Sequence, residues 1–450
     1  YAEAGDPVAL LFAGTARLKS SPRDLSGLAQ LERAAELGVG DAAFALATYY
    51  GRRDASADPS LTFRWATRAA ELDNAFGMTL LGELYLRGEG TPASPRQALN
   101  WLRQGAAAGD AVAMRWLGLV FTEGSPGIEP DLPRGMAWFE RAAERGDAFS
   151  CHTLGHVLVW KPDASPAELG RGYRLIQSAT TSGSKAGLAD LGWLTLTGRG
   201  TQKDEARGLQ MVRESAEAGV PEAVYLLGRI LWRGEGGIRP DPPAALALFE
   251  RGAKLGNGDC AHRLGVAHEL GQGRLRADPS TAIRWYERAA ELRHGAGSLS
   301  LAMHLIQGAV VKQDIPRAAE LLSRVAGGEP RAALALAGLL AGPDLPQDLP
   351  RARKLYLQAA AQGNLDAIAQ AARVLDQGIG GPRDRREALR WARSGSERGH
   401  ARSRYVLGKL LFEGRPEFAA KPAEGRRLLL EAARAGDRLA KSYVQQRAID

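Results

Sequence analysis

The feature that most constrains this chain is a repeat. A short box of small residues closed by glycine recurs as Ala34-Ala35-Glu36-Leu37-Gly38, Ala106-Ala107-Ala108-Gly109, Ala142-Ala143-Glu144-Arg145-Gly146, Ala359-Ala360-Ala361-Gln362-Gly363 and Ala432-Ala433-Arg434-Ala435-Gly436. With the last position of the box as a ruler, units end at Gly38, Asp73, Gly109, Gly146, Gly183, Gly219, Gly256, Arg293, Gly328, Gly363, Gly399 and Gly436, in steps of 35 to 37 residues. Each such unit can bury its apolar face only against its neighbours, so 1–450 reads as a single solenoid rather than the two or three globular domains its length would suggest. The stretch from about 293 to 340 is the least regular, and altered curvature or a small hinge is expected there.

Every unit carries two helical patterns. The first, helix A, opens one or two residues after the ruler and contains a Leu-Gly pair, as in Leu81-Gly82, Leu117-Gly118, Leu154-Gly155, Leu191-Gly192, Leu227-Gly228, Leu264-Gly265 and Leu407-Gly408. Glycine inside a helix costs about 1 kcal/mol, so its recurrence predicts close approach of a neighbouring backbone. Helix A stops at a glycine-rich turn such as Arg87-Gly88-Glu89-Gly90, Thr197-Gly198-Arg199-Gly200 or Arg233-Gly234-Glu235-Gly236. The second, helix B, is announced by Asp followed closely by Pro at Asp58, Asp131, Asp241, Asp278, Asp314 and Asp348, a side-chain cap with Pro in the first turn. It ends in the alanine box, with the ruler residue as a left-handed cap. About twelve helix pairs result, with a thirteenth A helix at 437–449 and no competing strand signal.

Ala75 to Gly109 shows the whole unit, from Leu80-Leu81-Gly82-Glu83-Leu84-Tyr85-Leu86-Arg87-Gly88-Glu89-Gly90 through Ala98-Leu99-Asn100-Trp101 to the alanine box. In these residues the chain resembles the SEL-one-like repeat (SLR) family, relatives of tetratricopeptide repeats, over essentially its full length. The resemblance implies an all-α fold, a right-handed α/α superhelical solenoid of SLR/TPR-like repeats whose A helices line the concave surface. It also implies a non-catalytic bacterial scaffold or adaptor, acting in assembly of an envelope, secretion or signalling complex. The family's other roles supply two alternatives, an immunity protein that neutralises a secreted toxic effector and a polysaccharide-associated binding protein. Departures from the pattern are Leu301-Ala302, Leu336-Ala337 and Ala371-Ala372 in place of Leu-Gly, and Trp160-Lys161-Pro162-Asp163 in place of a glycine turn.

Little in the chain points to chemistry. The excess of 59 basic over 51 acidic side chains, carried mainly by Arg, is spread over 450 residues and lacks the clustered stripe of a nucleic-acid binder. Cys151 and Cys260 stand in different repeats and suggest no disulfide framework. Cys151, His152 and His156 form the only tight metal-like group, and it lacks a third convergent ligand, so neither metal nor cofactor is expected. The glycine turns follow helices rather than strands and recur, unlike a phosphate cradle. No apolar run approaches the roughly 20 residues of a membrane span, leaving membrane association to a partner or to an N-terminal anchor outside the sequence. The opening Tyr1-Ala2-Glu3-Ala4-Gly5-Asp6 reads as the tail of a repeat, so the chain is expected to begin inside a longer or processed protein. Its compartment stays open between the bacterial periplasm, which the resemblance favours, and the cytoplasm.

The tryptophans carry more information. Trp65, Trp101, Trp138, Trp285 and Trp391 each lie eight residues before a ruler position and are expected in the core of helix B. Trp116, Trp160, Trp193 and Trp232 belong to helix A, or its end, in consecutive units. At about 100° per residue the first three fall opposite the buried stripe and Trp232 at its flank. Arg115, His156, Arg229 and Arg233 fall on or beside the same strip. Aromatics flanked by Arg make protein-binding hot spots, so these eight residues are the candidate surface for a protein or peptide, presented by a chain expected to be monomeric alone.

Overall fold

The computed structural model describes residues 6–52, 57–414 and 419–449; Tyr1 to Gly5, most of the segment read as a repeat tail, lie outside them. Among the described residues there are 25 α-helices and no strand, with one isolated bridge between Ser125 and Ile128. The chain divides into two compact units at 223/224, in the first turn of α13.

The first unit holds α1 (Pro7–Ser20), α2 (Leu25–Glu36), α3 (Gly40–Tyr50), α4 (Pro59–Glu71), α5 (Ala75–Arg87), α6 (Pro95–Ala107), α7 (Ala111–Glu123), α8 (Leu132–Glu144), α9 (Ala148–Trp160), α10 (Pro166–Thr181), α11 (Lys185–Thr197) and α12 (Glu205–Glu217). From α13 (Pro221–Arg233) onward the second unit continues with α14 (Pro242–Lys254), α15 (Gly258–Leu270), α16 (Pro279–Glu291), α17 (Gly295–Gln307), α18 (Ile315–Val325) and α19 (Pro330–Ala341). It closes with α20 (Leu349–Ala361), α21 (Leu365–Gln377), α22 (Arg385–Glu397), α23 (Ala401–Glu413), α24 (Pro422–Arg434) and α25 (Arg438–Gln446). Within each unit an odd-numbered A helix packs on the following B helix, and that B helix on the next A helix, which is a stacked helix-turn-helix solenoid.

The predicted punctuation is chemically real. Asp58, Asp131, Asp241, Asp278, Asp314 and Asp348 each accept a backbone N–H of the first turn of a B helix, with Pro in that turn. The ruler residues adopt positive φ, from +56° at Asp73 to +94° at Gly436, in every unit but the one ending at Gly328. There α18 stops early and the chain leaves through Ala326 in right-handed geometry. Gly328 lies in the stretch flagged as irregular, yet the core is continuous through it: Leu299, Leu322, Leu336 and Tyr356 share one cluster reaching from Ala282 to Val374.

The helix-A glycines answer to side chains more than to backbone. A Cβ on Gly118 would sit 2.6 Å from the Phe139 ring, because the large apolar residue of helix B drops into the notch. Where helix B also offers glycine, as with Gly192 and Gly208, the carbonyl of each lies within 3 Å of the other's missing Cβ, and the predicted backbone approach is met. The second glycine of the A-to-B turn has another role. Gly90, at φ +72°, rests on the first turn of the preceding B helix, where a Cβ would be 2.1 Å from the Pro59 carbonyl oxygen.

Four of the five helix-B tryptophans expected in the core lie at its rim instead. Of the helix-B tryptophans only Trp65 is buried, at 8% exposure. Trp101, Trp138, Trp285 and Trp391 are half-buried at the edges of the cores, and the next residue along (Leu102, Phe139, Tyr286, Ala392) occupies the centre. One residue is about 100° of helix rotation, enough to turn the indole to the rim, where its ring covers apolar surface and its N–H can reach a polar partner. Trp391 Nε1 donates to Glu387 Oε1 at 3.3 Å, and the Arg141 guanidinium lies 4.8 Å from the Trp138 ring centre.

Candidate functional site

In the first unit the A helices α7, α9 and α11 carry five of the eight candidate residues: Arg115, Trp116, His156, Trp160 and Trp193. Helix α9 begins at Asp147, whose carboxylate accepts from Ser150 N at 2.9 Å and Ser150 Oγ at 2.7 Å. It ends without the left-handed glycine that caps α5 and α11: Lys161 follows at φ −58° and ψ 129°, and a capping box at Ser165 and Glu168 starts α10. Trp160, the last residue of α9, is thereby held at the helix end with 40% of its surface exposed.

Around it the structure assembles a ladder of rings. Trp160 and Trp193 stack across α9 and α11, with centroids 6.3 Å apart and planes 11° off parallel. One turn back along α9, His156 lies 5.8 Å from Trp160, and His152 lies 6.1 Å from His156. His152 Nε2 meets Asp190 Oδ2 of α11 at 2.8 Å, tying the two repeats together beside the stack. Desolvation pushes His156 below the ordinary histidine range; Asp190 pulls it upward, while neighbouring His152 reinforces the depression. A largely neutral imidazole at neutral pH presents a ring face and a polar edge without a fixed charge. Phe149, 45% exposed near the start of α9, lies apart from the ladder with its ring 6.2 Å from that of Phe139.

The remaining candidates sit differently. Arg115 braces neighbouring repeats: its Nη1 meets Asp147 at 2.9 Å and its guanidinium lies 5.8 Å from the Phe149 ring. Trp116 is half-buried against the core of its own repeat, with Arg87 of α5 5.7 Å from its ring. In the second unit Trp232 packs on Phe249 of α14, centroids 6.2 Å apart, and its ring edge covers Gly273. Arg229 and Arg233 both pair with Glu235 in the turn that follows, at 3.3 and 3.2 Å. Cys151 points away from His152 and His156 into the core, where burial raises its thiol pKa, so the three do not converge on one ion.

Two features carried no readable signal. Polar residues near the start of one A helix reach the capping residue of the next, as in Asn74 to Asp41 (2.6 Å), Arg402 to Asp437 (2.5 Å), His294 to Asp259 and His400 to Asp366 (both 3.3 Å), and the Thr79–Asp110 hydrogen bond. A second ring cluster links α15 to α17: His262 lies 5.2 Å from His294 and 5.8 Å from Tyr286, which stacks on His304 and donates to Glu269. Burial pushes His262 down to about 4, helped by the charges of His294 and Arg263 and opposed by Asp259 and Glu269.

Ten segments of the chain match the family described as Sel1 repeat: 40–74, 75–110, 111–147, 186–220, 221–257, 258–294, 298–326, 330–364, 365–400 and 401–437. The chain belongs to the Sel1 repeat family. Helix α9, which carries three of the four rings of the ladder, lies with α10 between the third and fourth of these Sel1 matches, and Trp193 on α11 falls inside the fourth. Among solved structures, a protective antigen of uropathogenic Escherichia coli with an SLR fold is 25% identical, with a TM-score of 0.50 over 92% of this chain and 89% of its own. A Sel1 repeat protein from Oxalobacter formigenes is 27% identical over 52% of this chain and 97% of its own, with a TM-score of 0.45. An immunity protein of Pseudomonas aeruginosa is 21% identical over 48% of this chain and 82% of its own, with a TM-score of 0.35. Among curated proteins none matches. Sel1 repeat proteins generally mediate protein–protein interaction, and no described helix of this one is long and apolar enough to cross a membrane.

Proposed function

We propose that this Sel1 repeat protein is a non-catalytic scaffold that holds a protein or peptide on the A-helix face of its first unit, centred on Trp160, Trp193 and His156. The observation that carries the reading is the inter-repeat stack of exposed Trp160 on half-buried Trp193, flanked by His156. Large aromatics fixed by their neighbours lose little entropy on binding and supply the contact area on which hot spots depend. Arg115 and Trp116 hold the adjoining repeat in register and form the border of this face. In the second unit Trp232, Arg229 and Arg233 form a separate contact region, anchored by Phe249 and Glu235. The partner belongs to a bacterial envelope, secretion or signalling assembly, and the scaffold engages it as a monomer.

Quantitative capture with the full chain and with a Trp160→Ala/Trp193→Ala variant tests this. Loss of a discrete protein partner by the variant, with unchanged thermal unfolding, is the expected result. Equal recovery by both forms rules the face out. Retention of protein partners with loss of glycan binding would assign the stack to a sugar instead.

A further inference from the structure

Helices α21, α23 and α25 enclose a cavity of about 180 Å³ on the A-helix side of the second unit, distinct from the aromatic face. Its wall is apolar at Val406, Leu410 and Leu439, and cationic at Arg373, Arg402 and Lys409. The charges are unevenly matched. Arg402 is paired with Asp437 at 2.5 Å, and Asp376, the acid in the wall, faces Arg385 at 3.7 Å. Half-buried Arg373 instead gives Nε to the Gln370 side-chain oxygen at 2.9 Å and Nη1 to that of Gln377 at 3.2 Å. Half-buried Lys409 lies 5.6 Å from the centre of the Tyr443 ring, whose hydroxyl donates to Glu413 at 2.8 Å. Among the described residues neither Arg373 nor Lys409 has a carboxylate partner.

Two cations partly withdrawn from water and met by amide dipoles and a ring are under-compensated. An incoming carboxylate restores the balance and gains charge-assisted hydrogen bonds, while the apolar wall gives an adjacent aliphatic side chain a place. We propose that this cavity binds an acidic segment of a protein, with a Glu or Asp carboxylate between Arg373 and Lys409 and a neighbouring apolar side chain on Leu410 and Leu439. A free oxyanion such as phosphate would engage the same cations but leave the apolar wall unused.

Fluorescence anisotropy of the full chain with a dye-labelled decapeptide of alternating Glu and Leu tests the assignment, with the Gln-Leu counterpart and sodium phosphate as comparisons. The Glu-Leu peptide should bind, weaken with added salt and resist displacement by millimolar phosphate. Arg373→Gln and Lys409→Gln should each lower its affinity about tenfold. Two substitutions allow the one that retains its helical circular dichroism to decide if the other misfolds. Trp160→Ala/Trp193→Ala should leave this binding unchanged, so failure of the aromatic face and failure of the cavity are separable. Equal binding of the Gln-Leu peptide, or undiminished affinity in a folded variant, overturns the proposal. Ready displacement by phosphate makes the cavity a simple oxyanion site and overturns the peptide assignment.

Discussion

Changing Gly90 to alanine probes how one repeat is seated on the one before it. Two penalties add. Its backbone is left-handed, at φ +72°, which costs an L-residue about 1–2 kcal/mol. The new Cβ would also stand 2.1 Å from the Pro59 carbonyl oxygen and 2.9 Å from Phe63 Cβ. Relief requires moving the turn away from α4 by about 1 Å, an overpacking cost of about 1–3 kcal/mol in a tightly packed region. The total is about 2–5 kcal/mol. Gly38 is the control, because its φ is +94° and a Cβ there meets nothing within 4 Å, so Gly38→Ala should carry only the left-handed penalty of about 1–2 kcal/mol. Urea unfolding gives the global difference. Hydrogen exchange then locates it, because a stacked array loses stability where the neighbour contact fails and α4 to α6 should open first. Equal losses for the two variants would refute the claim that the turn rests on the preceding helix.

Three other outcomes follow from the same geometry. Asp131→Ala removes the side-chain acceptor for Arg134 N at the start of α8 and should cost about 1 kcal/mol by urea unfolding. Arg293→Gly places glycine at φ +57° and should raise stability by roughly 1 kcal/mol, where an ordinary surface substitution would be neutral. His262 is depressed to about 4 in the folded protein against an ordinary 6.5, so the unfolded chain binds more protons between those values. Its contribution is complete above pH 6.5 and falls away as the pH drops toward 4. The urea midpoint should therefore fall less in His262→Gln than in the wild type between pH 7.5 and pH 5.

What could be read from residues alone was local. Asp before Pro, the alanine box and the ruler glycine each declare a cap within a few residues, and each operates through hydrogen bonds or dihedrals of that same short segment. Gly328 departs because α18 ends early, which no single residue type announces. The tryptophan faces were harder, since an error of one position turns a side chain by about 100° and moved four helix-B indoles from core to rim. The ring ladder was half visible: His156 and Trp160 share α9, but Trp193 joins them only through repeat stacking. The braces between A helices stayed hidden because their partners lie 30 or more residues apart and vary in type, pairing Asn with Asp, His with Asp and Arg with Asp, and the cluster around His262 because stacking draws its members from three helices.

The proposed holding face is the A-helix surface of the first unit around Trp160. Its most direct test is site-specific photocrosslinking of the full chain in extract from the source cell, with benzoylphenylalanine at position 160 and, as an exposed control on α8, at position 132, where Leu132 is 61% exposed. A discrete protein adduct at 160, absent at 132 and lost on adding Trp193→Ala, is the predicted result. Adducts at 132 equal to those at 160, or adducts indifferent to Trp193→Ala, would contradict it.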